Sequence, residues 1–200
     1  PSTKIDPVHY WRALDVAMQS PLPISDKVAV DRLESLLTQS VKRQMLSDVP
    51  IGAFLWGGID SSTVVALMQS QNSSPVRTFS IGFIEEEHDE AVHAKAVASH
   101  IGTIHTELYV TPNDAIDVIP NLPSVYDEPF GDSSAIPTCI LAEMTKSHVT
   151  VALSGDGGDE LFGGYNRHFF GNAIYNRMHY FPLFYRRLFS QAITAISPKV

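Results

Sequence analysis

The sequence predicts an α/β protein, a doubly wound parallel sheet with helices on both faces. Three observations carry this expectation. Short apolar runs alternate along the chain with segments of helical periodicity. The runs are apolar enough for strands covered on two faces, as in parallel sheets. The chain has 200 residues, 44% of them hydrophobic and 18% charged, which supports one domain with a sizeable core and excludes a disordered chain.

Residues 1–25 contain Pro7, Pro21 and Pro23 with weak periodicity and read as a linker or arm, in which Tyr10-Trp11-Arg12 is a candidate docking patch. The chain begins at Pro1 rather than Met, which reads as a cut or processed terminus. The domain proper is expected from 26 to 200. Asp26 to Leu46 is the first strong helix, with Val28, Leu33, Leu36, Leu37, Val41 and Met45 near helical spacing and Asp48-Val49-Pro50 as its stop. Ile51–Leu55 is a short apolar strand, followed by Gly57-Gly58 and a helix from Asp60 to about Gln71. A strand over Val76–Phe83, a helix over Asp89–Ile101, a strand over His105–Val110 and a helix over Pro112–Val125 follow. Ser134–Ser147 is expected as helix, and Val149–Leu153 as a fully buried strand ending at Ser154-Gly155. There is no internal repeat and no low-complexity tract. In such sheets ligands sit at the carboxyl ends of the strands, so the loops that follow strands are the places to look.

Charge narrows the function classes. The net charge is −8, but residues 51–164 carry sixteen acids and three bases, whereas 165–200 carry five bases and no acid. A −13 section repels a nucleic-acid backbone, so no nucleic-acid partner is expected. It holds a small polyphosphate only through backbone amides and a divalent cation. No apolar stretch is long enough to cross a membrane, no signal core opens the chain, and one cysteine, Cys139, favours a reducing compartment, hence a cytoplasmic protein.

Two loops have the composition for chemistry. Leu55-Trp56-Gly57-Gly58-Ile59-Asp60-Ser61-Ser62 runs from strand into helix; its glycines allow close backbone approach, and the first helical amides and the Ser61 and Ser62 hydroxyls face an anion. The plainer reading is a tight turn with Asp60 as helix N-cap. No GxxxxGK[ST] is present. The second loop, Ser154–Tyr165, holds five glycines and three carboxylates in twelve residues. That density suits Mg²⁺ held with phosphate oxygens; the alternative is an ordinary glycine-rich turn. Ala152 breaks the G-x-S-x-G pattern, so Ser154 is not a hydrolase nucleophile.

The first loop resembles the SGGxDS pyrophosphate loop of ATP pyrophosphatases that make adenylated intermediates. Joined to Ser154–Tyr165 roughly 95 residues on, and to Ser80-Ile81-Gly82-Phe83, the chain resembles the synthetase domain of glutamine-hydrolysing asparagine synthetases, a PP-loop, Rossmann-like fold, from about Tyr10 to His168. Asp127-Glu128-Pro129-Phe130 with Asp132-Ser133-Ser134 matches the bacterial branch. The resemblance implies that ATP lies across the strand ends, its base near Leu55, Ile81 and Ser154-Gly155. Gly57, Gly58, Ser61 and Ser62 would hold the pyrophosphate, and Asp60 and Asp159 would carry Mg²⁺. Aspartate would attack the α-phosphate to give β-aspartyl-AMP, which ammonia converts to asparagine with release of AMP. Asp156 stands where the family has an acid tied to forming that intermediate and to amine attack.

Three departures qualify the resemblance. Trp56 stands where the family has serine; its indole is expected either to occupy the phosphate site or to swing outward and leave the amides working, with impaired nucleotide affinity. The family draws ammonia from an N-terminal glutaminase domain with a first-residue cysteine, whereas position 1 here is Pro and Cys139 reads as a small buried hydrophobe. Residues 1–25 are then an arm from that domain, and glutamine hydrolysis is not expected of this chain. The family also continues in a further helical region with a phosphate-contacting lysine. Residues 165–200, with nine of the nineteen aromatics, read as an element made for that region, and as a patch inviting self-association if exposed. The fragment alone is then expected to have little activity. The alternatives are a silent nucleotide-binding or interaction domain, and a related synthetase acting on another carboxylic acid, as β-lactam synthetases do. The acidic run Glu85–Glu90 reads as a solvated loop, and His105 and Glu107 as structural.

Overall fold

The computed structural model describes residues 8–83, 90–128 and 131–195. The predicted start of the 89–101 helix, the acidic positions 85–89 and the Pro129-Phe130 pair lie outside the described residues. The chain divides into two compact units, Pro1–Ser40 and Val41–Val200. In the first, a short helix α1 (Ala13–Ala17) interrupts the predicted arm, with Arg12 paired to Asp15 at 2.7 Å. Helix α2 (Asp26–Gln44) begins after Ser25, whose hydroxyl accepts from the Val28 amide, and it carries the chain across the division.

The second unit holds a four-stranded, all-parallel sheet in the order β3-β2-β1-β4. Its strands are β1 (Ile51–Phe54), β2 (Arg77–Phe83), β3 (Ile104–Val110) and β4 (Val151–Leu153). Between them run α3 (Ile59–Ser70), α4 (Ala91–Ile101), α5 (Pro112–Val118), α6 (Leu122–Val125) and α7 (Ala135–Lys146). Beyond β4 come α8 (Gly158–Phe162), α9 (Asn166–Met178) and α10 (Leu183–Ala195).

Successive strand residues point to opposite faces, and each face has its own core. Ala53 and Leu55 pack with Val65 and Met68 of α3, Ala94 and Ala98 of α4, and Val41. Phe54 and Trp56 lie with Phe79, Leu141 and Met144, so α7 covers the other face. Ile81, Val110 and Ile140 extend that second core toward α5. The doubly wound expectation therefore holds. Fully burying an aliphatic or aromatic side chain such as Leu55, Phe79 or Leu141 contributes about 1.5–3 kcal/mol, which explains why the strands read as apolar runs.

Toward β2 and β3 the α4 side of the sheet becomes polar. The ring nitrogens of His105 meet the hydroxyls of Thr78 (2.9 Å) and Ser80 (3.2 Å), and Thr78 also meets Thr103 (2.8 Å). Glu107 pairs with Lys95 of α4 at 3.0 Å. Burial holds His105 below the ordinary imidazole range, against the opposing pull of the Glu107 charge. His105 and Glu107 thus both have partners within the fold.

Two expectations need correction. The predicted helix over 112–125 is broken into α5, a 3₁₀ turn (Ile119–Asn121) and α6, because Pro120 and Pro123 remove amide donors from a continuous helix. The last strand starts at Val151, not Val149, and is not fully buried: Val151 is 40% exposed. It has one strand neighbour among the described residues, β1, so only part of its surface is covered. No helix among the described residues is long and apolar enough to cross a membrane.

Candidate functional site

Both glycine loops leave the carboxyl ends of neighbouring parallel strands. Ala53 of β1 is in register with Leu153 of β4, so the segments that follow emerge side by side. From β1 the chain moves outward to β2 and β3, then returns to lay β4 on the other side of β1. The crevice between β1 and β4 is where the strand order reverses, the usual ligand position in such sheets.

The first loop is fixed by its own backbone. The Leu55 amide donates to the Phe79 carbonyl at 2.8 Å, and the Trp56 amide donates to Ser61 Oγ at 3.2 Å. Gly57 has φ +76°, and a Cβ there would lie 2.7 Å from His93 Cβ and 2.9 Å from the Ala94 amide nitrogen. Both the left-handed turn and the packing on α4 require glycine at this position. Gly58 differs: its φ is −73°, and a Cβ on it would meet no atom within 4 Å.

Gly58, not Asp60, is the N-cap of α3, and no side chain caps it. Asp60 lies one residue inside the helix, because Gly58 already has the extended cap conformation. The N-cap reading of Asp60 is thereby corrected, and the first-turn amides are left without a side-chain cap. The hydroxyls of Ser62 and Ser61 both donate to the Gly58 carbonyl, at 2.6 and 3.4 Å. Ser61 is buried and braces the loop, whereas Ser62 is partly exposed.

In the second loop Ser154 Oγ donates to Asp156 Oδ2 at 3.0 Å, and Asp156 is exposed. Gly157 (φ +92°) and Gly163 (φ +70°) bracket α8, the single turn that carries Asp159 and Glu160. Two of the five glycines are therefore explained by left-handed backbone at the two ends of that turn. The Tyr165 hydroxyl donates to Glu160, and this bond holds the Glu160 carboxyl below the usual carboxylate range and raises the Tyr165 phenol. The Arg167 guanidinium lies 4.2 Å from the centre of the Tyr165 ring.

The loops touch. A Cβ on Gly155 would lie 2.5 Å from the Ser61 amide nitrogen and 2.8 Å from the Asp60 carbonyl carbon. A Cβ on Gly158 would overlap the Asp60 carboxylate, and one on Gly164 would overlap that of Asp159. Asp60 and Ser61 of the first loop thus meet Gly155 and the start of α8. Gly158 and Gly164 were not singled out from sequence; their only signal was the glycine density of the loop. The backing of Gly57 by His93 and Ala94 gave no signal, because it is a contact with helix backbone.

The other predicted positions lie at the end of β1, on β2, and on or just ahead of α7. Leu55 and Ile81 are fully buried, Leu55 on the α3–α4 side and Ile81 on the α7 side. The Trp56 ring packs against both α7-side clusters, that of Phe79 and Leu141 and that of Ile81 and Ile140, and it is half-buried. It does not come within 4 Å of the Cβ position of Gly58. The indole is packed toward α7, against the sheet. Asp132 accepts from the Ser134 amide at 2.8 Å just ahead of α7, which holds its carboxyl below the usual range. Cys139 is partly buried on α7. Among the described residues no three His, Cys, Asp or Glu side chains cluster as a self-sufficient metal cage.

The family model described as asparagine synthase matches residues 32–197. A Methanocaldococcus jannaschii protein, provisionally named asparagine synthetase (glutamine-hydrolyzing) 2, is 46% identical over 165 residues, covering 82% of this chain and 31% of the relative. Asparagine synthetase (glutamine-hydrolyzing) 1 of Bacillus subtilis is 39% identical over 146 residues, covering 73% and 23%. Asparagine synthetase B of Escherichia coli is 31% identical over 160 residues, covering 71% and 28%. The chain spans less than a third of the length of each of these relatives. Among solved structures, an NH3-dependent NAD synthetase from Campylobacter jejuni aligns with a TM-score of 0.43 at 12% identity, covering 72% of this chain and 62% of that one.

Proposed function

The chain belongs to the asparagine synthase family, and on that premise we propose that its Val41–Val200 unit is the ATP-activating part of an enzyme that amidates aspartate to asparagine. The observation that carries this reading is the contact between the two glycine loops at the ends of β1 and β4, Gly155 on the Ser61 backbone and Gly158 on the Asp60 carboxylate. Gly58 supports it further. Neither its φ nor any neighbouring atom demands glycine; beyond its role as N-cap, the open space at its Cβ position leaves room for a ligand to approach the backbone closely.

In this reading the triphosphate lies over Gly57, Gly58 and the uncapped first turn of α3, whose amides and dipole favour negative charge. The Ser61 and Ser62 hydroxyls turn from the Gly58 carbonyl toward the pyrophosphate. The base lies near the backbone of Leu55, Ile81, Ser154 and Gly155. The aspartate side-chain carboxylate attacks the α-phosphate, pyrophosphate leaves with the electron pair of the broken P–O bond, and β-aspartyl-AMP remains. Ammonia adds to the acyl carbon, AMP departs, and a proton is lost to give asparagine. Asp156, exposed and hydrogen-bonded to Ser154, is the group proposed to take that proton. The loop positions the reactants and supplies hydrogen-bond donors where charge develops; positioning and electrostatics carry the rate.

Asp60 and Asp159 suit Mg²⁺. Both are hard oxygen donors, Asp60 in the first turn of α3 against Gly158 and Asp159 in α8 against Gly164, and Mg²⁺ completes its shell with phosphate oxygens and water. When bound, the ion would neutralise charge on the polyphosphate. In the full-length enzyme the ammonia is proposed to come from glutamine, hydrolysed by a separate glutaminase portion.

Thermal unfolding with and without Mg-ATP tests the reading. Ligand at 100 times its dissociation constant stabilises the folded state by about 2.7 kcal/mol. The chain is expected to be stabilised and its Asp60→Asn variant to lose that gain while unfolding normally without ligand. Equal stabilisation of both would remove Asp60 from the site.

A further inference from the structure

Resting on the nucleotide reading above, we propose that Trp56 is the stacking wall of the base pocket, an aromatic platform for the purine of ATP in place of a hydroxyl donor to its phosphates. The first residue of this loop has its backbone pinned: the Trp56 amide donates to Ser61 Oγ, and Leu55 before it is tied to Phe79. With the backbone fixed, the indole lies on the α7 side of the sheet across the ends of β1 and β2, against the clusters of Phe79 and Leu141 and of Ile81 and Ile140. Leu55 and Ile81 are two of the positions assigned to the base, so the indole borders the same end of the sheet. Trp56 is only partly buried by its packing on these two clusters. The glycine turn stays clear of it, since the Cβ position of Gly58 has no atom within 4 Å. In this proposal the phosphates take the glycine turn and the base takes the indole, so that one nucleotide engages both. Indole is a strong partner for a base, because every base offers a π-face and stacking is tolerant of its identity.

The test separates base from phosphate. The chain has two tryptophans, Trp11 and Trp56, so a Trp11→Phe background leaves Trp56 as the sole indole reporter. Mg-ATP is expected to quench its fluorescence, whereas Mg-pyrophosphate binds without comparable quenching. Trp56→Leu retains an apolar packing group and removes the aromatic face; ATP should then bind roughly tenfold more weakly with pyrophosphate affinity unchanged. Trp56→Phe should recover most of the loss. If leucine unfolds the chain, the fluorescence titration and the phenylalanine variant still decide the matter. Equal or tighter ATP binding by folded Trp56→Leu, or ATP binding without quenching, would overturn the proposal. Failure of the unmodified chain to bind either ATP or pyrophosphate would instead overturn the nucleotide reading, and the platform with it.

Discussion

A methyl group added to Gly155 lands on the backbone of the opposite loop. Its ideal position is 2.5 Å from the Ser61 amide nitrogen, 2.8 Å from the Asp60 carbonyl carbon and 2.9 Å from Ser61 Cα. All three atoms are main chain, so no side-chain rotation relieves the overlap, and the ends of β1 and β4 must separate. Overpacking of this kind costs about 1–3 kcal/mol. In a unit of this size each kcal/mol shifts the melting temperature by about 2–4 °C, so Gly155→Ala should melt roughly 2–12 °C lower. Gly58→Ala is the matched control, since its methyl group enters open space. Alanine is a poorer N-cap than glycine by a few tenths of a kcal/mol or more, and the reduced entropy of the unfolded chain offsets about that much. Its melting temperature should stay within about 2 °C of the parent while Mg-ATP binding is lost. Differential scanning fluorimetry of the two variants, with and without Mg-ATP, reads both quantities. An unshifted melting temperature for Gly155→Ala would refute the loop contact, and normal ATP binding by Gly58→Ala would refute the use of that backbone.

The other expectations concern the scaffold. His105 is held below its ordinary pKa chiefly by burial, so its neutral form is the one the fold favours. Its stabilising contribution is full above the unfolded value near 6.5 and is lost as pH falls through that value toward the lower folded one; melting temperature against pH should fall more steeply below 7 for the parent than for His105→Gln. Thr111 and Asp114 form a capping box at the start of α5, so Thr111→Ala should cost about 1 kcal/mol in denaturant titration, with ATP affinity unchanged. Tyr165→Phe removes the hydrogen bond that lowers Glu160, and the Glu160 carboxyl followed by NMR should titrate at higher pH.

The sheet was legible because burial on two faces forces apolar strands. Ile51–Phe54 and Arg77–Phe83 are recovered within a residue of the sequence limits, and so is α7. Strand order was not legible: no local signal says that β4 pairs with β1, and that pairing is what brings the loops together. The prolines at 120 and 123 were visible, yet the apolar spacing around them still suggested one helix. The short α1 and α8 lack enough turns to show a period. Within the site, residue type pointed to the glycines, serines and aspartates. It did not show that Ser61 would be a buried brace, that Gly57 would be wedged against α4, or that Gly58 would have open space beside it. Those distinctions depend on contacts between segments far apart in sequence.

The central claim is that one nucleotide spans both glycine loops. An amide-resolved NMR titration of the chain with Mg-ATP tests it most directly. The account predicts that the amides of Gly57, Gly58, Asp60 and Ser61 shift together with those of Ser154 and Gly155, along a single binding curve, while those of α9 and α10 stay in place. Shifts confined to one loop, or clustered away from the ends of β1 and β4, would contradict it.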